Sequence, residues 1–293
     1  MWTFLLRQDA KFTRFDLRGL ARRNEKSVAP AVAPGGPVVS MTTHGQRLNS
    51  VYLALESIAR GSLLPSRIIL WLQNSQTLTG RPDSLRRLEN RGVEVRLTQN
   101  YGPHTKYYPY LESIERFDAP LVLADDDVLY PGTWLSGLAT SLRANSKVVS
   151  CYRAHVVRLV HREVSPYLTW RACRSTAPSP LHFATGVSGC IYPPVLLSKI
   201  KEAGSEFMVT CPRADDIWLH VNALRAGFRV RQIGTRPLVF PFVPGTQANG
   251  LSVSNVKLLQ NDQQISQTYR ASDIDLLLSE RSEHAESQGS EDS

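Results

Sequence analysis

The chain has no unbroken apolar run of about 18 residues, the length a helix needs to cross a bilayer, so no segment reads as membrane-spanning. No secretory signal is visible at its start. Its 293 residues include only four cysteines, Cys151, Cys173, Cys190 and Cys211, and none belongs to a C-x-x-C pair. That spacing argues against a disulfide framework or a structural zinc site and fits free thiols in a reducing compartment. Basic residues interleaved with aromatics do not recur, and zinc-finger spacing is absent, so nucleic acid is not an expected partner. A Gly-rich phosphate signature is also missing near the first expected strand. What is present is a net charge of +8 on a chain that is 42% hydrophobic. This suits a large globular domain with an anionic partner, such as a nucleotide-linked substrate or an anionic lipid surface.

Positive charge is concentrated at the N-terminus. Arg7, Lys11, Arg14, Arg18 and Arg22 follow at spacings of four, three, four and four. At about 100° per residue they make one narrow basic face, with Trp2, Leu5, Leu6, Phe12, Leu17 and Leu20 mostly opposite. Residues 1–26 are therefore expected to form a basic amphipathic helix. Either it lies on an anionic membrane through residues 2–23, or it packs on the domain with its basic face in water. The protein is expected in the cytoplasm, and the first alternative places it peripherally on the inner face of the cell membrane. Residues 27–37, rich in Ala, Pro and Gly, read as a linker, and residues 279–293, mostly Ser and Glu, as a disordered tail.

Residues 38–275 read as one domain. Strands are expected at Val38–Met41, Arg67–Leu72, Val93–Leu97 and Leu121–Ala124, alternating with helices at Asn49–Arg60, Pro82–Arg91 and Lys106–Phe117. Further on, Trp134–Ala144, Val195–Ala203 and a segment ending at Arg225 read as helices, and Lys147–Tyr152 and Phe228–Ile233 as strands. Such alternation predicts an α/β fold with a doubly wound, mostly parallel sheet. The strand Leu121–Ala124 ends in Asp125, Asp126 and Asp127. Three adjacent carboxylates at a strand end repel one another unless a cation sits among them, and hard cations prefer oxygen ligands. A solvated acidic turn is the competing account. A second acidic pair, Asp215 and Asp216, opens a helix beside Trp218. There the positive dipole end favours carboxylates, and one acid can cap while the other serves as a base.

The order of these features carries a resemblance. A strand ending in Asp-x-Asp, then Tyr130-Pro131, a Gly-rich aromatic segment, and Asp-Asp at a helix start resembles GT-A-fold glycosyltransferases. The match is closest to bacterial family-2-like enzymes, with a motif order also similar to fringe-like transferases. It covers Val38 to Ile233. It implies a nucleotide-binding N-terminal half and an acceptor-binding C-terminal half. It further implies a nucleotide-diphosphate sugar donor, a glycan or lipid-linked acceptor, Mn²⁺ or Mg²⁺, and inversion at the sugar. By motif, Asp127 resembles the direct metal ligand and Asp125 the acid facing the ribose or reaching the metal through water. Asp126 falls at the variable middle position, the one least expected to matter. Asp216 resembles the base that deprotonates the acceptor, and Asp215, where those enzymes often have Glu, stays a candidate.

The resemblance also places the loop of Thr42, Thr43, His44 and Arg47 at the nucleoside, although a polar loop capping the next helix explains it equally. Lys106 can reach a diphosphate as a point charge or stand in solvent. Gly186, Gly189 and Tyr192 resemble the acceptor-side loop, with structural turns as the alternative. Trp170 and Trp218 can stack on sugar rings or fill the core. One departure is clear: no His lies between His220 and His284 to serve as a further metal ligand. Two rival functions remain open on sequence, a catalytically inactive sugar-nucleotide or glycan-binding module and a nucleotidyltransferase.

Overall fold

A computed structural model describes residues 17–247 and 260–279. Its strands are β1 (Val38–Thr42), β2 (Arg67–Leu72), β3 (Val93–Leu97), β4 (Leu121–Leu123), β5 (Val148–Cys151), β6 (Ala154–Val156), β7 (Leu159–Val160), β8 (Glu163–Val164), β9 (Arg171–Ala172), β10 (His182–Ala184), β11 (Cys190–Tyr192) and β12 (Arg229–Gln232). Seven of them form one sheet in the order β12-β5-β11-β4-β1-β2-β3. The pairs β1–β2, β1–β4, β2–β3 and β5–β12 are parallel, whereas β11 runs antiparallel to both β4 and β5. Helices cover both faces, which is why β1, β2 and β4 read as near-continuous apolar runs. A second, antiparallel sheet of order β10-β6-β9 builds the wall of the C-terminal half.

The helices are α1 (17–26), α2 (Val51–Ala59), α3 (Ser75–Thr79), α4 (Asp83–Glu89), α5 (Tyr108–Ser113), α6 (Trp134–Ala144), α7 (Pro194–Glu202), α8 (Phe207–Thr210), α9 (Asp215–Arg225), α10 (Gln260–Thr268) and α11 (271–279). Two of them differ from expectation. The helix expected at Lys106–Phe117 divides into a 3-10 turn, Gly102–Lys106, and the short α5. Gly102 takes φ +59°, Tyr107 leaves helical geometry, Pro109 occupies the first turn of α5, and Ile114 is extended. Likewise α2 starts at Val51, after a 3-10 turn over Gly45–Asn49.

The expected linker is not a free tether. Ala31 is fully buried, its N–H donates to Arg91 O (2.8 Å), and Ala33 N–H donates to Pro65 O (2.9 Å). A Cβ on Gly36 would come 2.1 Å from Leu64 O, so only glycine fits that approach. This strap fixes α1 to the domain. Leu20 is buried, Asn24 Nδ2 donates to Glu56 Oε1 (3.0 Å) and Ser84 O (2.9 Å), and Arg23 Nη2 donates to Ala59 O (3.0 Å). The described part of the N-terminal helix therefore packs on the core and leaves Arg18 and Arg22 exposed. The basic positions Arg7, Lys11 and Arg14 lie outside the described residues, as does 280–293 of the expected tail. No helix among the described residues is long and apolar enough to cross a membrane. All four cysteines are buried free thiols.

Past residue 247, α10 and α11 close over α9. Tyr269 Oη donates to His220 Nδ1 (2.6 Å), and the Arg225 guanidinium holds Asp273 by two bonds of 3.0 and 2.8 Å. Leu277 is fully buried, so the packed domain extends beyond its expected end at 275.

Candidate active site

Because β1 and β4 are parallel neighbours, with Ser40 opposite Leu123, the loops that follow them leave the sheet side by side. In open α/β sheets, the crevice at these carboxyl ends is where ligands bind. The β1 loop grips the acidic turn. Thr43 Oγ1 donates to Asp126 Oδ2 (2.6 Å), and Arg47 Nη1 lies 3.0 Å from both Asp126 Oδ1 and Asp127 Oδ2. Arg47 Nη2 donates to Thr246 O (3.0 Å), and Gln247 Nε2 to Asp127 Oδ2 (2.8 Å). The backbone of the turn is clamped too, by Val243 N–H on Asp127 O (2.7 Å) and Leu129 N–H on Pro241 O (2.8 Å).

This corrects the reading of Asp126. The position least expected to matter is buried, and its two oxygens tie β1's loop to β4's. Arg47 and Thr43 meet the acidic turn, while Thr42 Oγ1 bonds Trp71 O (3.1 Å) within the sheet and His44 stands exposed. The segment 241–247 carried no signal beyond a Pro-Gly turn, and Gln247 was missed for that reason. Also missed was an open cleft of about 660 Å³ past the ends of β2 and β3, lined by Gln73, Asn74, Ser75, Gln76, Leu97, Thr98 and Gln99. The sequence signal there was only a change from apolar strand to polar loop.

Lys106 joins the two acidic clusters. Its Nζ lies 2.5 Å from Asp125 Oδ1 and 3.8 Å from Asp215 Oδ2. The 3-10 turn that presents it is fixed from both sides: Ser40 Oγ donates to Lys106 O (2.5 Å), and buried His104 bonds Tyr107 Oη (2.7 Å) and Cys211 O (2.8 Å). Burial lowers the His104 pKa to about 3, so the ring is neutral and can stack on Phe207 at 4.1 Å. The Lys106 ammonium is held charged: burial opposes it, but Asp125 and Asp215 push its pKa upward overall.

At α9, the N-cap Ala214 offers no side-chain oxygen, and Asp215 and Asp216 occupy the first turn. Asp216 Oδ1 accepts from Gly186 N–H (3.0 Å). Burial first, and then the Asp215 charge, raise the Asp216 pKa to about 8, with Lys106 pulling the other way. Asp215 is also raised by burial against the pull of Lys106. In the other cluster, burial and the charges of Asp125 and Asp126 raise Asp127 to about 7.

The expected acceptor residues separate. Gly186 touches Asp216, and a Cβ there would stand 3.2 Å from Asp216 Oδ1. Gly189, at φ +94°, instead makes room for Trp134, whose Nε1 would lie 2.6 Å from an added Cβ. Tyr192 is buried in β11. Trp218, at 1% exposure, and Trp170, at 6%, belong to the core, and the Trp170 indole N–H donates to Ser165 O (2.9 Å). None of these three aromatic rings offers an open face to a sugar.

The donor set at Asp125 and Asp127 consists of carboxylate oxygens, the ligand type hard divalent cations take. Asp127 is 4% exposed; burial first, and then the neighbouring Asp125 and Asp126 charges that a cation would offset, raise its pKa. Among the described residues, no group of three His, Cys, Asp or Glu side chains is arranged for a metal. Asp125, also paired with Lys106, and Asp127, also paired with Arg47, could supply two oxygen ligands to a cation, and any others would have to come from substrate and water.

No family model matches the chain, and no curated protein does. Among solved structures, it is similar to the mannosyltransferase PcManGT from Pyrobaculum calidifontis in complex with GDP-Man and Mn²⁺. The TM-score is 0.50 at 14% identity, covering 90% of this chain and 73% of that one. It is also similar to GalNAc-T7 with UDP, GalNAc and Mn²⁺ (TM-score 0.49, 10% identity, 78% of this chain and 48% of that one). The chain therefore spans about half the length of GalNAc-T7. TarS 1-349 from S. aureus follows at TM-score 0.47 and 13% identity, covering 82% and 69%. At such identities, likeness speaks for the fold alone. With a mixed sheet of order β12-β5-β11-β4-β1-β2-β3 and acidic turns after β4 and at the start of α9, the chain has the GT-A fold.

Proposed function

We propose that this chain is a metal-dependent, inverting glycosyltransferase. It moves a hexosyl or related group from a nucleotide-diphosphate sugar to a hydroxyl of a glycan or lipid-linked acceptor, such as an envelope glycan. The observation that carries this reading is the Lys106 bridge, which brings a metal-type acidic turn and a base-type acidic pair to one end of the sheet. The presence of GDP-Man and Mn²⁺ in PcManGT supports it.

Asp125 and Asp127 would hold Mn²⁺ or Mg²⁺, which when bound offsets the charge of the leaving diphosphate. Thr42, Thr43, His44, Arg47 and the cleft past β2 and β3 would receive the nucleoside. Asp216 acts as the base. Gly186 N–H fixes its Oδ1, which leaves Oδ2 to take the acceptor proton. As that proton moves, the acceptor oxygen bonds the anomeric carbon, and the bond from that carbon to the diphosphate breaks with its electron pair leaving on the diphosphate. Asp215 stays on the Lys106 side, where it shares the ammonium with Asp125.

Incubation with a panel of UDP- and GDP-sugars, Mn²⁺ and glycan acceptors is expected to release nucleoside diphosphate. Pyrophosphate release from a nucleoside triphosphate would identify a nucleotidyltransferase instead, and binding without turnover a glycan-binding module. Gly186→Ala crowds Asp216 and is expected to lower kcat about tenfold, or about 1.4 kcal/mol of barrier, without changing donor KM. Within the expected membrane segment 2–23, Leu17 and Leu20 pack against the domain, so we also propose peripheral attachment to the inner face of the membrane through the residues before 17. Deleting residues 1–16 spares the Asn24–Glu56 contact, so the shortened protein should stay folded yet lose flotation with anionic liposomes. Equal flotation of both forms would remove the membrane role.

A further inference from the structure

Arg153, between β5 and β6, is half-buried, and both of its partners are neutral. Nη1 donates to Thr185 Oγ1 (2.9 Å), and Nη2 to His155 Nε2 (3.2 Å). No carboxylate lies within ion-pair distance of it among the described residues. His155 can accept from the guanidinium only as the neutral ring, and burial together with Arg153 lowers its pKa to about 4. The guanidinium thus meets no counter-charge among these partners. Such a charge is costly unless an anion completes it.

Its position relative to Asp216 gives this charge a use. Thr185, which holds Arg153, directly precedes Gly186, which holds Asp216. The two groups are therefore held by adjacent residues of one loop. Tyr167 lies near both groups, since the charges of Asp216 and Arg153 both act on its hydroxyl. Its ring is 5.5 Å from that of His155, and its hydroxyl, raised to about 12 by burial and by Asp216, stays a neutral donor. The small sheet β10-β6-β9 adds further positive charge, with exposed Arg171 on β9 and exposed Arg158 and Arg174 beside it. Lys106, in contrast, lies on the Asp215 side.

We propose, resting on the glycosyltransferase reading, that the acceptor is anionic and that Arg153 receives its phosphate or carboxylate while Asp216 addresses the neighbouring hydroxyl. The planar guanidinium fork suits two oxygens of either group. A neutral acceptor would leave the charge uncompensated.

The test measures binding of methyl glucoside, methyl glucuronide and methyl glucoside 6-phosphate by saturation-transfer NMR, in EDTA and at fixed ionic strength. Chelation prevents the phosphate from binding through a metal, and the two charged sugars separate phosphate from carboxylate recognition. At least one charged sugar is expected to bind about tenfold tighter than the neutral one. Arg153→Gln should erase that preference and leave the neutral sugar unchanged, whereas Arg153→Lys should keep part of it. Equal binding of all three sugars, or a preference that survives Arg153→Gln, overturns the proposal. Nucleotide-induced stabilisation with Mn²⁺, measured on the same Arg153→Gln protein, should equal that of the parent and reports its folding. Loss of nucleotide stabilisation in the parent itself would count against the glycosyltransferase reading, while the anion preference would stand or fall on its own.

Discussion

Replacing Asp216 with Asn lowers the transfer rate by about 10²–10⁴-fold, the usual worth of a positioned general base, and leaves metal-dependent nucleotide binding in place. The amide can still accept from Gly186 N–H through its oxygen, so the loop keeps its anchor while the proton acceptor is gone. The pH profile follows from the charge state. Burial and Asp215 put the Asp216 midpoint at about 8, so the base is mostly protonated below it, and the rate rises with pH before levelling above 8. Asp215→Asn removes one of the groups that raise that midpoint, so the plateau is reached at lower pH. Lys106→Met removes a group that lowers it and moves the plateau up. Stability runs the other way. Folded Asp216 keeps a proton that the unfolded chain releases above its ordinary value of 3.8. Metal-free protein therefore loses stability as pH rises from about 4 towards 8, and Asp216→Asn flattens that slope. A pH-independent rate in the parent, or full activity in Asp216→Asn, would contradict the assignment.

The largest expected loss of stability is at Glu56, far from the chemistry. Its side chain is 0% exposed and sits against Arg91 (2.5 Å, 3% exposed) and Arg23 (3.3 Å). Glu56 Oε1 also accepts from Asn24, so one carboxylate joins α1 and α2 to Arg91, whose Nε in turn donates to Ala29 O in the strap before β1. Glu56→Ala strands a buried guanidinium, and breaking a buried pair in this way costs about 3–5 kcal/mol. Urea unfolding is expected to show that loss, with amides near Leu20 in α1 exchanging faster than those of β1. A cost below about 1 kcal/mol would mean that water already reaches the Arg91 guanidinium in the folded protein.

In the parallel half, β1, β2 and β4 were legible as continuous apolar runs because they are buried on both faces, whereas β3, at the sheet edge, is buried only at Val93. Arg67–Leu72 and Val93–Leu97 fall where the apolar runs end, and α6 spans the expected Trp134–Ala144. The helix expected from Lys106 was overextended because apolar spacing persists through Pro109 and past Ile114, where the backbone turns extended. Asp125, Asp127 and Asp216 could be singled out because like charges crowded at element ends demand a partner. The partners themselves could not. Lys106 to Asp215, Gln247 to Asp127 and Gly186 to Asp216 all join distant segments, and no local pattern encodes them. Asp126 was undervalued for the same reason, since its worth lies in Thr43 and Arg47. Trp170 and Trp218 show the opposite error: large aromatic rings suited to sugars were also the best fillers for the core around Phe183 and Phe207.

The most direct test of the account is a thermal-shift measurement with UDP and GDP, in Mn²⁺ and in EDTA, on the parent and on Asp127→Ala. The account predicts that one diphosphate raises Tm by an amount equivalent to about 2.7 kcal/mol at a hundred times its Kd, only with Mn²⁺, and that Asp127→Ala loses the effect. Stabilisation that persists in EDTA or in Asp127→Ala, or that occurs only with a nucleoside triphosphate, would contradict it.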